Sequence, residues 1–279
     1  MRKGLVLEGG GMRSLFSAGV IDVMMEQGLQ FDSIVGVSAG AAFGCNYKSR
    51  QIGRAIRYNK LLAGNWRNCS IRSLLLTGNL IGAEFAYHYV PTYVDIFDTE
   101  AFEANPLKFY AVTTNIETGE PIYKSLEHGD YDDLEWLRAS ASLPLCSTIV
   151  ELDGLKMLDG GIVDSIPLKF MENQGITDNI VVLTRPKGYR KKPTSVMPLI
   201  KLKYWKYPKL VEAMANRHLM YNRQLEYLEE AERAGRVKVI YPPCDLPIDR
   251  LGKDPEQMQQ TYDIGRQTAT DFLAANQLQ

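Results

Sequence analysis

Histidine is scarce in this chain, with three among 279 residues: His88, His128 and His218. A nucleophilic site built on serine, histidine and an acid needs a histidine at the right place, and here there are few candidates. Cysteine is sparse as well. Cys45, Cys69, Cys146 and Cys244 lie far apart and match neither a zinc spacing nor Cys-x-x-Cys, so no metal centre is expected. Their thiols are expected to be reduced, as in the cytoplasm. Neither sign of charge dominates. Against 32 Lys and Arg stand 33 Asp and Glu, for a formal net charge of −1, which leaves no global field to draw the chain to nucleic acid. No apolar window approaches the length of a membrane-spanning helix. The opening MRKGLVLEGGG has an apolar run too short for a signal-peptide core. A cytoplasmic location, peripheral to the inner membrane surface at most, is the expectation.

What is present is an ordinary globular composition, 45% apolar and 23% charged, on a chain long enough for one large α/β domain. Gly4 to Glu8 is a short apolar run ending in three glycines, and Ser14 to Gln27 carries apolar residues at helical spacing. A second run, Ser33 to Gly36, leads into the small-residue stretch Ala39 to Tyr47. Strand, helix, strand, helix predicts a parallel sheet with right-handed crossovers. Further strands are expected at Leu107–Thr114, at PIYK after the turn ETGE, on both sides of Asp153-Gly154, at Asn179–Thr184 and at Val237–Tyr241. Helices are expected over Asp132–Ser142, Lys209–Ala234 and from Asp254-Pro255 to about Ala275. Residues 50–100 are less regular and are expected to form helices and a wall over the site.

Three short motifs carry the chemistry. Gly9-Gly10-Gly11-Met12-Arg13-Ser14 sits between a strand and a helix, where backbone N–H groups make an anion site for a phosphate or an oxyanion. As a dinucleotide fingerprint it fails, because Ser14 stands where the last glycine belongs and the second strand ends without an acid. As a P-loop it lacks Gly-Lys-Ser/Thr. Gly36-Val37-Ser38-Ala39-Gly40 follows an apolar strand and opens a helix. That is the setting of a nucleophile on a sharp elbow, and also of a plain tight turn. Asp159-Gly160-Gly161 puts a carboxylate on a turn with little steric cover, and Asp-Gly is equally a common turn pair. A Ser–Asp–His triad would need His218, which lies in a polar helix where a solvated or packing role fits it better.

In this order and spacing, Glu8–Arg13, Gly36–Gly40 and Asp159–Gly161 resemble the three motifs of the patatin-like phospholipases, over about residues 4–185. The segment ASASLPL (139–145) also resembles a family segment. The resemblance implies a three-layer α/β fold, its central sheet mainly parallel and flanked by helices. A mostly helical C-terminal extension would be added to it. It implies a Ser–Asp dyad that needs no histidine. Ser38 would be the nucleophile, and Asp159 would accept its proton and later activate water. Gly10 and Gly11 would offer their N–H groups as the oxyanion hole, and Arg13 would contact the oxyanion or a lipid phosphate. Gly9, Gly36, Gly40, Gly160 and Gly161 complete the motifs. No cofactor is implied. Two positions depart from the family: Glu8 stands where Asp is frequent, and Ser14 where Gly is.

The implied reaction is hydrolysis of carboxylic esters in phospholipids, lysophospholipids or acylglycerols. A catalytically inactive lipid-binding or scaffold protein is the alternative. The expected organisation is a catalytic domain over 4–185, a basic aromatic linker over 186–209, and a helical region over 210–279 packed on the catalytic domain. From Arg185 to Lys209 there are nine basic residues and no acidic one, interleaved with Tyr189, Tyr204, Trp205 and Tyr207. That composition suits peripheral contact with an anionic membrane as well as a solvated linker. No nucleic-acid motif accompanies it. The oligomeric state is open, a homodimer included.

Overall fold

The computed structural model describes residues 2–277. β1 (Lys3–Leu7), α1 (Leu15–Glu26), β2 (Ser33–Val37) and α2 (Ala39–Lys48) form the two βα units expected from the sequence. β2 is buried throughout and β1 at all but its first residue, as strands covered on both faces must be. α3 (Arg54–Leu61), α4 (Ile71–Thr77), a π-helical segment (Phe85–Val94) and α5 (Thr99–Ala104) make up the irregular stretch that follows. β3 (Lys108–Asn115), β4 (Pro121–Leu126), α6 (Tyr131–Ser140), β5 (Val150–Leu152), β6 (Leu155–Asp159), α7 (Leu168–Asn173) and β7 (Asp178–Val182) come next. α8 (Met197–Lys203), α9 (Pro208–Arg233), β8 (Val237–Ile240) and α10 (Pro255–Asn276) complete the order.

The strands form one mixed sheet in the order β5-β6-β3-β2-β1-β7-β8, with β4 also on β3. β1 pairs in parallel with β2 and β7, β2 with β3, and β7 with β8. The antiparallel pairings belong to β3, β4, β5 and β6. The β5–β6 turn has Asp153 at φ 53° and Gly154 at φ 73°, the left-handed pair of a tight hairpin.

Alternation along the central strands sends side chains to two layers. Leu5, Leu7, Ile34 and Phe109 pack on one face with Phe16, Val20 and Trp136. Val6, Val35, Val112 and Val181 pack on the other with Met171, Tyr221 and Leu228. The C-terminal stretch takes part in both layers: α9 contributes Tyr221, Leu225 and Leu228 to the second, and α10 contributes Ala269 and Leu273 to the first. β8 extends the sheet beside β7. The basic stretch expected as a linker carries α8 and buries Ile200 and Tyr204. Tyr204 is therefore a core ring, not a ring at a headgroup boundary. Residues 278 and 279, included in the expected C-terminal region, lie outside the described residues.

α10 is locked to α1 by a buried carboxyl. Asp22 Oδ2 accepts from Tyr262 Oη (2.6 Å) and from Gly53 N (2.9 Å). Burial pushes this carboxyl up to about 6. A folded-state value above the unfolded one means folding takes up a proton, so this contribution is full below about pH 4 and is lost as pH rises through about 6. Asp22→Asn keeps an acceptor and should lack that loss. Its stability relative to the parent should rise by about 2–3 kcal/mol between pH 4 and pH 7. Paired urea titrations at the two pH values check this, and an unchanged difference would contradict it.

Candidate active site

β2 ends at Val37, α2 begins at Ala39, and Ser38 between them has φ 56° and ψ −128°. A left-handed serine is strained by about 1–3 kcal/mol and persists only where its surroundings hold it. The Ser38 N–H donates to Ser140 Oγ (2.9 Å), and the Ser140 hydroxyl donates to the Val112 carbonyl (2.6 Å). The Ser38 carbonyl accepts from the N–H groups of Ala41 and Ala42. Under the elbow, α2 runs against the end of β1. A Cβ at Gly40 would lie 2.6 Å from the carbonyl oxygens of both Leu7 and Glu8. Gly40→Ala should therefore displace the elbow and cost at least about 1–3 kcal/mol. A lowered melting temperature together with loss of Ser38 reactivity would show it. An unchanged melting temperature would mean that the close approach is not required.

Asp159 reaches Ser38 through the register of β3. Val112 pairs with Val37 of β2, and the next residue, Thr113, pairs with Asp159 of β6. β4 occupies the opposite edge of β3 along the same stretch. β2 and β6 thus meet end to end on one edge, and Ser38 and Asp159 stand at the junction. Asp159 is 1% exposed. Its N–H donates to the Ser142 carbonyl and its carbonyl accepts from Thr114 Oγ1, both at 2.8 Å. Oδ1 accepts from Gly161 N (2.8 Å), and among the described residues Oδ2 has no hydrogen-bond partner. The Ser38 hydroxyl is nevertheless near enough to favour the charged carboxylate. The two groups are adjacent without a tight bond, as is common before substrate arrives. Burial pushes the Asp159 carboxyl above its ordinary value, while Arg217 and the Ser38 hydroxyl oppose the shift.

The glycine loop rests on this elbow. A Cβ at Gly9 would lie 2.8 Å from Ser38 Cβ. Gly11 has φ 58°, and the next N–H, of Met12, donates to the Arg250 carbonyl (2.9 Å). Among the described residues no hydrogen bond takes the N–H of Gly10 or Gly11. Glu8 anchors the loop. Its Oε2 accepts from Thr184 N (2.7 Å) and Oγ1 (3.0 Å), and its Oε1 accepts from Tyr221 Oη (2.6 Å) on α9. The longer Glu side chain thus joins the ends of β1 and β7 to α9. Arg13 is buried, and among the described residues its Nε has no partner; burial, Arg185 and Arg250 push its guanidinium down to about 10.

Two cavities meet at Ser38 and also share Gly11, Leu143 and Arg250. One, of about 150 Å³, is walled mainly by apolar side chains such as Phe43, Tyr58, Tyr87, Val90, Leu134 and Leu137. Residues 54–97 do form a wall over the site. The other, of about 50 Å³, is polar and contains Gly9, Gly10, Asp159 and Gly161 with several cations. The three histidines line neither cavity. His88 pairs with Glu135 and His128 with Glu103. The neighbour of His218, Arg217, enters the site instead and donates from Nε to the Gly161 carbonyl (2.6 Å). Arg217 and Arg250 have no local signal in the sequence. Lys191 and Arg185 belong to the basic segment but turn inward. Among the described residues, no three His, Cys, Asp or Glu side chains are grouped to hold a metal ion.

A family profile described as patatin-like phospholipase matches residues 5–171, which include the elbow, the glycine loop and Asp159. The chain belongs to the patatin-like phospholipase family. Membership places it among lipid ester hydrolases. A second profile, a domain of unknown function (DUF6363), matches 207–277 of this patatin-like chain, the stretch that brings in Arg217, Tyr221 and Arg250. The uncharacterized protein YjjU of Escherichia coli strain K12 is 29% identical over 98% of this chain and 77% of its own length. Lysophospholipase nte1 of Aspergillus oryzae is also 29% identical, over 95% of this chain. This chain spans 18% of that relative's length. Among solved structures, VipD from Legionella pneumophila aligns loosely, with a TM-score of 0.46 at 13% identity, over 98% of this chain and 67% of its own. No helix among the described residues is long and apolar enough to cross a membrane.

Proposed function

We propose that this patatin-like chain is a serine acyl hydrolase that cleaves carboxylic esters of lipids with Ser38 as nucleophile and Asp159 as base. The observation that carries the reading is the buried Asp159 carboxyl beside a strained Ser38, at the meeting point of an apolar and a polar cavity. Ser38 Oγ attacks the ester carbonyl while its proton passes to Asp159. The N–H groups of Gly10 and Gly11 receive the oxyanion, each donor contributing about 3 kcal/mol to the transition state. The protonated Asp159 then gives its proton to the departing alcohol, leaving an acyl group on Ser38. Water then attacks the acyl carbonyl, losing a proton to Asp159, and as the bond to Ser38 Oγ breaks Asp159 returns that proton to Oγ and the fatty acid leaves. A carboxyl raised by burial is a better base for this task than an ordinary one. The apolar cavity fits an acyl chain, and the lysophospholipase named among the relatives supports a phospholipid, lysophospholipid or acylglycerol as substrate.

The test is intact and peptide mass after exposure to a lipid-like fluorophosphonate. A single adduct on Ser38, absent in Asp159→Asn, is expected. A folded protein without an adduct, in the presence of anionic vesicles as well as without them, would favour an inactive lipid-binding or scaffold protein.

Membrane contact through α8 is part of the same proposal. Leu199 and Leu202 on α8 and Trp205 in the turn after it are exposed, interleaved with exposed Lys201, Lys203 and Lys206. Apolar tips between ammonium groups suit an anionic surface. At about 1 kcal/mol per lysine, replacing Lys201, Lys203 and Lys206 by Ala should weaken vesicle co-sedimentation on the order of 100-fold. Unchanged co-sedimentation would remove this surface from the proposal.

A further inference from the structure

The polar cavity beside Ser38 has an unusual charge balance. Five cations line it: Arg13, Arg185, Lys191, Arg217 and Arg250. Two carboxylates face them, Glu8 and Asp159, and both have other work. The Glu8 oxygens are taken by Thr184 and Tyr221, and Asp159 is the proposed base. Arg185 has an ion-pair partner in the exposed Asp245 at 3.7 Å. Among the described residues, Arg13, Lys191, Arg217 and Arg250 have no carboxylate within ion-pair distance. Arg13 is buried and the other four are partly buried, so the surplus positive charge is incompletely solvated, and a bound anion offsets that cost. The same crowding pushes the Lys191 ammonium down to about 7, through burial first and then Arg217.

From this cavity we infer, on the acyl hydrolase reading above, that the substrate is an acylated phosphate monoester. Lipids of the phosphatidate or lysophosphatidate class would place the acyl chain in the apolar cavity, the ester at Ser38 and the phosphate among these cations. Charge supports the assignment. A choline or ethanolamine ammonium would meet five cations, against Glu8, whose oxygens are already bonded, and Asp159, the proposed base. The two rings that could take it by cation–π contact are occupied: Lys191 Nζ sits 4.0 Å from the Tyr221 centroid, and Arg185 lies 4.8 Å from that of Tyr189. A neutral acylglycerol would leave the cations unpaired. Four of the five cations come after residue 171, the end of the patatin-like match. Selection of the headgroup therefore belongs to the C-terminal part of the chain, while the proposed dyad belongs to the motifs.

The test uses three esters of one acyl chain: 1-oleoyl lysophosphatidate, 1-oleoyl lysophosphatidylcholine and 1-oleoylglycerol. The kcat/KM for lysophosphatidate should exceed each of the others by at least about 10-fold, the worth of one charge-assisted hydrogen bond. Lys191→Met and Arg250→Met should each move that ratio toward parity. A parent enzyme that favours the choline or neutral ester overturns the assignment whether or not the variants fold. Binding is read separately on Ser38→Ala, which cannot turn over. Glycerol 3-phosphate should raise its melting temperature by several degrees, and should not do so when Lys191→Met is added. If inorganic phosphate stabilises the protein while the three esters react alike, the cavity is a free-phosphate site and the headgroup assignment falls. No turnover of any ester and no fluorophosphonate adduct would remove the hydrolase reading, and the substrate assignment with it.

Discussion

Asp159→Asn should lower kcat/KM on any ester substrate by about 10⁴-fold without lowering thermal stability. An amide oxygen can still accept from Gly161 N, so the local fold has what it needs. An amide cannot take the Ser38 proton. Loss of one member of a nucleophile–base unit costs on the order of 10⁴ in rate, the remainder coming from binding and the oxyanion donors. The pH dependence has a definite sign. As the proposed base, Asp159 would work when ionised, and burial raises its pKa, so activity should fall as pH drops through a value above the ordinary carboxylate range. An acid limb at or below that range would contradict the raised carboxyl. Ser38→Ala should match Asp159→Asn in severity, and His218→Ala should stay near parent activity. A large loss with His218→Ala in a folded protein would mean that the proton goes elsewhere.

Glu8→Ala should cost about 3–5 kcal/mol, the scale for removing one partner from a buried charged network. Glu8 is 3% exposed, and three donors depend on it: Thr184 N, Thr184 Oγ1 and Tyr221 Oη. Removing the carboxylate leaves those donors unsatisfied in the interior. It also strips negative charge from a cavity crowded with cations, since Glu8 is among the groups that favour the charged forms of Arg13, Lys191 and Arg217. The expected fall in melting temperature is on the order of 10 °C. Glu8→Asp tests reach as distinct from charge. The shorter side chain keeps the charge but cannot span both Thr184 and Tyr221, so an intermediate loss is expected. Full stability with Glu8→Asp would show that the link to α9 contributes little.

The elements most legible in the sequence are those whose causes are local. Gly36 to Gly40 reads as an elbow because an apolar strand must turn at once into a small-residue helix. Asp153-Gly154 reads as a hairpin because both residues accept left-handed φ. The long helix was visible from its charge spacing, and its start and end differ by one residue from the expectation. The basic stretch was the hardest to read, since composition cannot say which lysines face inward. Lys191 turns into the cavity, Lys201, Lys203 and Lys206 stay exposed, and Tyr204 joins the core.

The two βα units, the elbow at Ser38, the glycine loop and the acid–glycine turn at Asp159 are local features, because each follows from the conformational freedom and polarity of a few adjacent residues. Tertiary structure brings Ser38 and Asp159 together, which no local run of residues does and which the sequence implied only through the family resemblance. That follows from strand pairing: consecutive residues of β3 hold the end of β2 and the end of β6 on one edge. It also decided that Arg217, Arg250 and Lys191 share one cavity with Glu8. These four residues are far apart in the chain. Their charges become neighbours only when α9 packs across the sheet and buries Tyr221 against the end of β1.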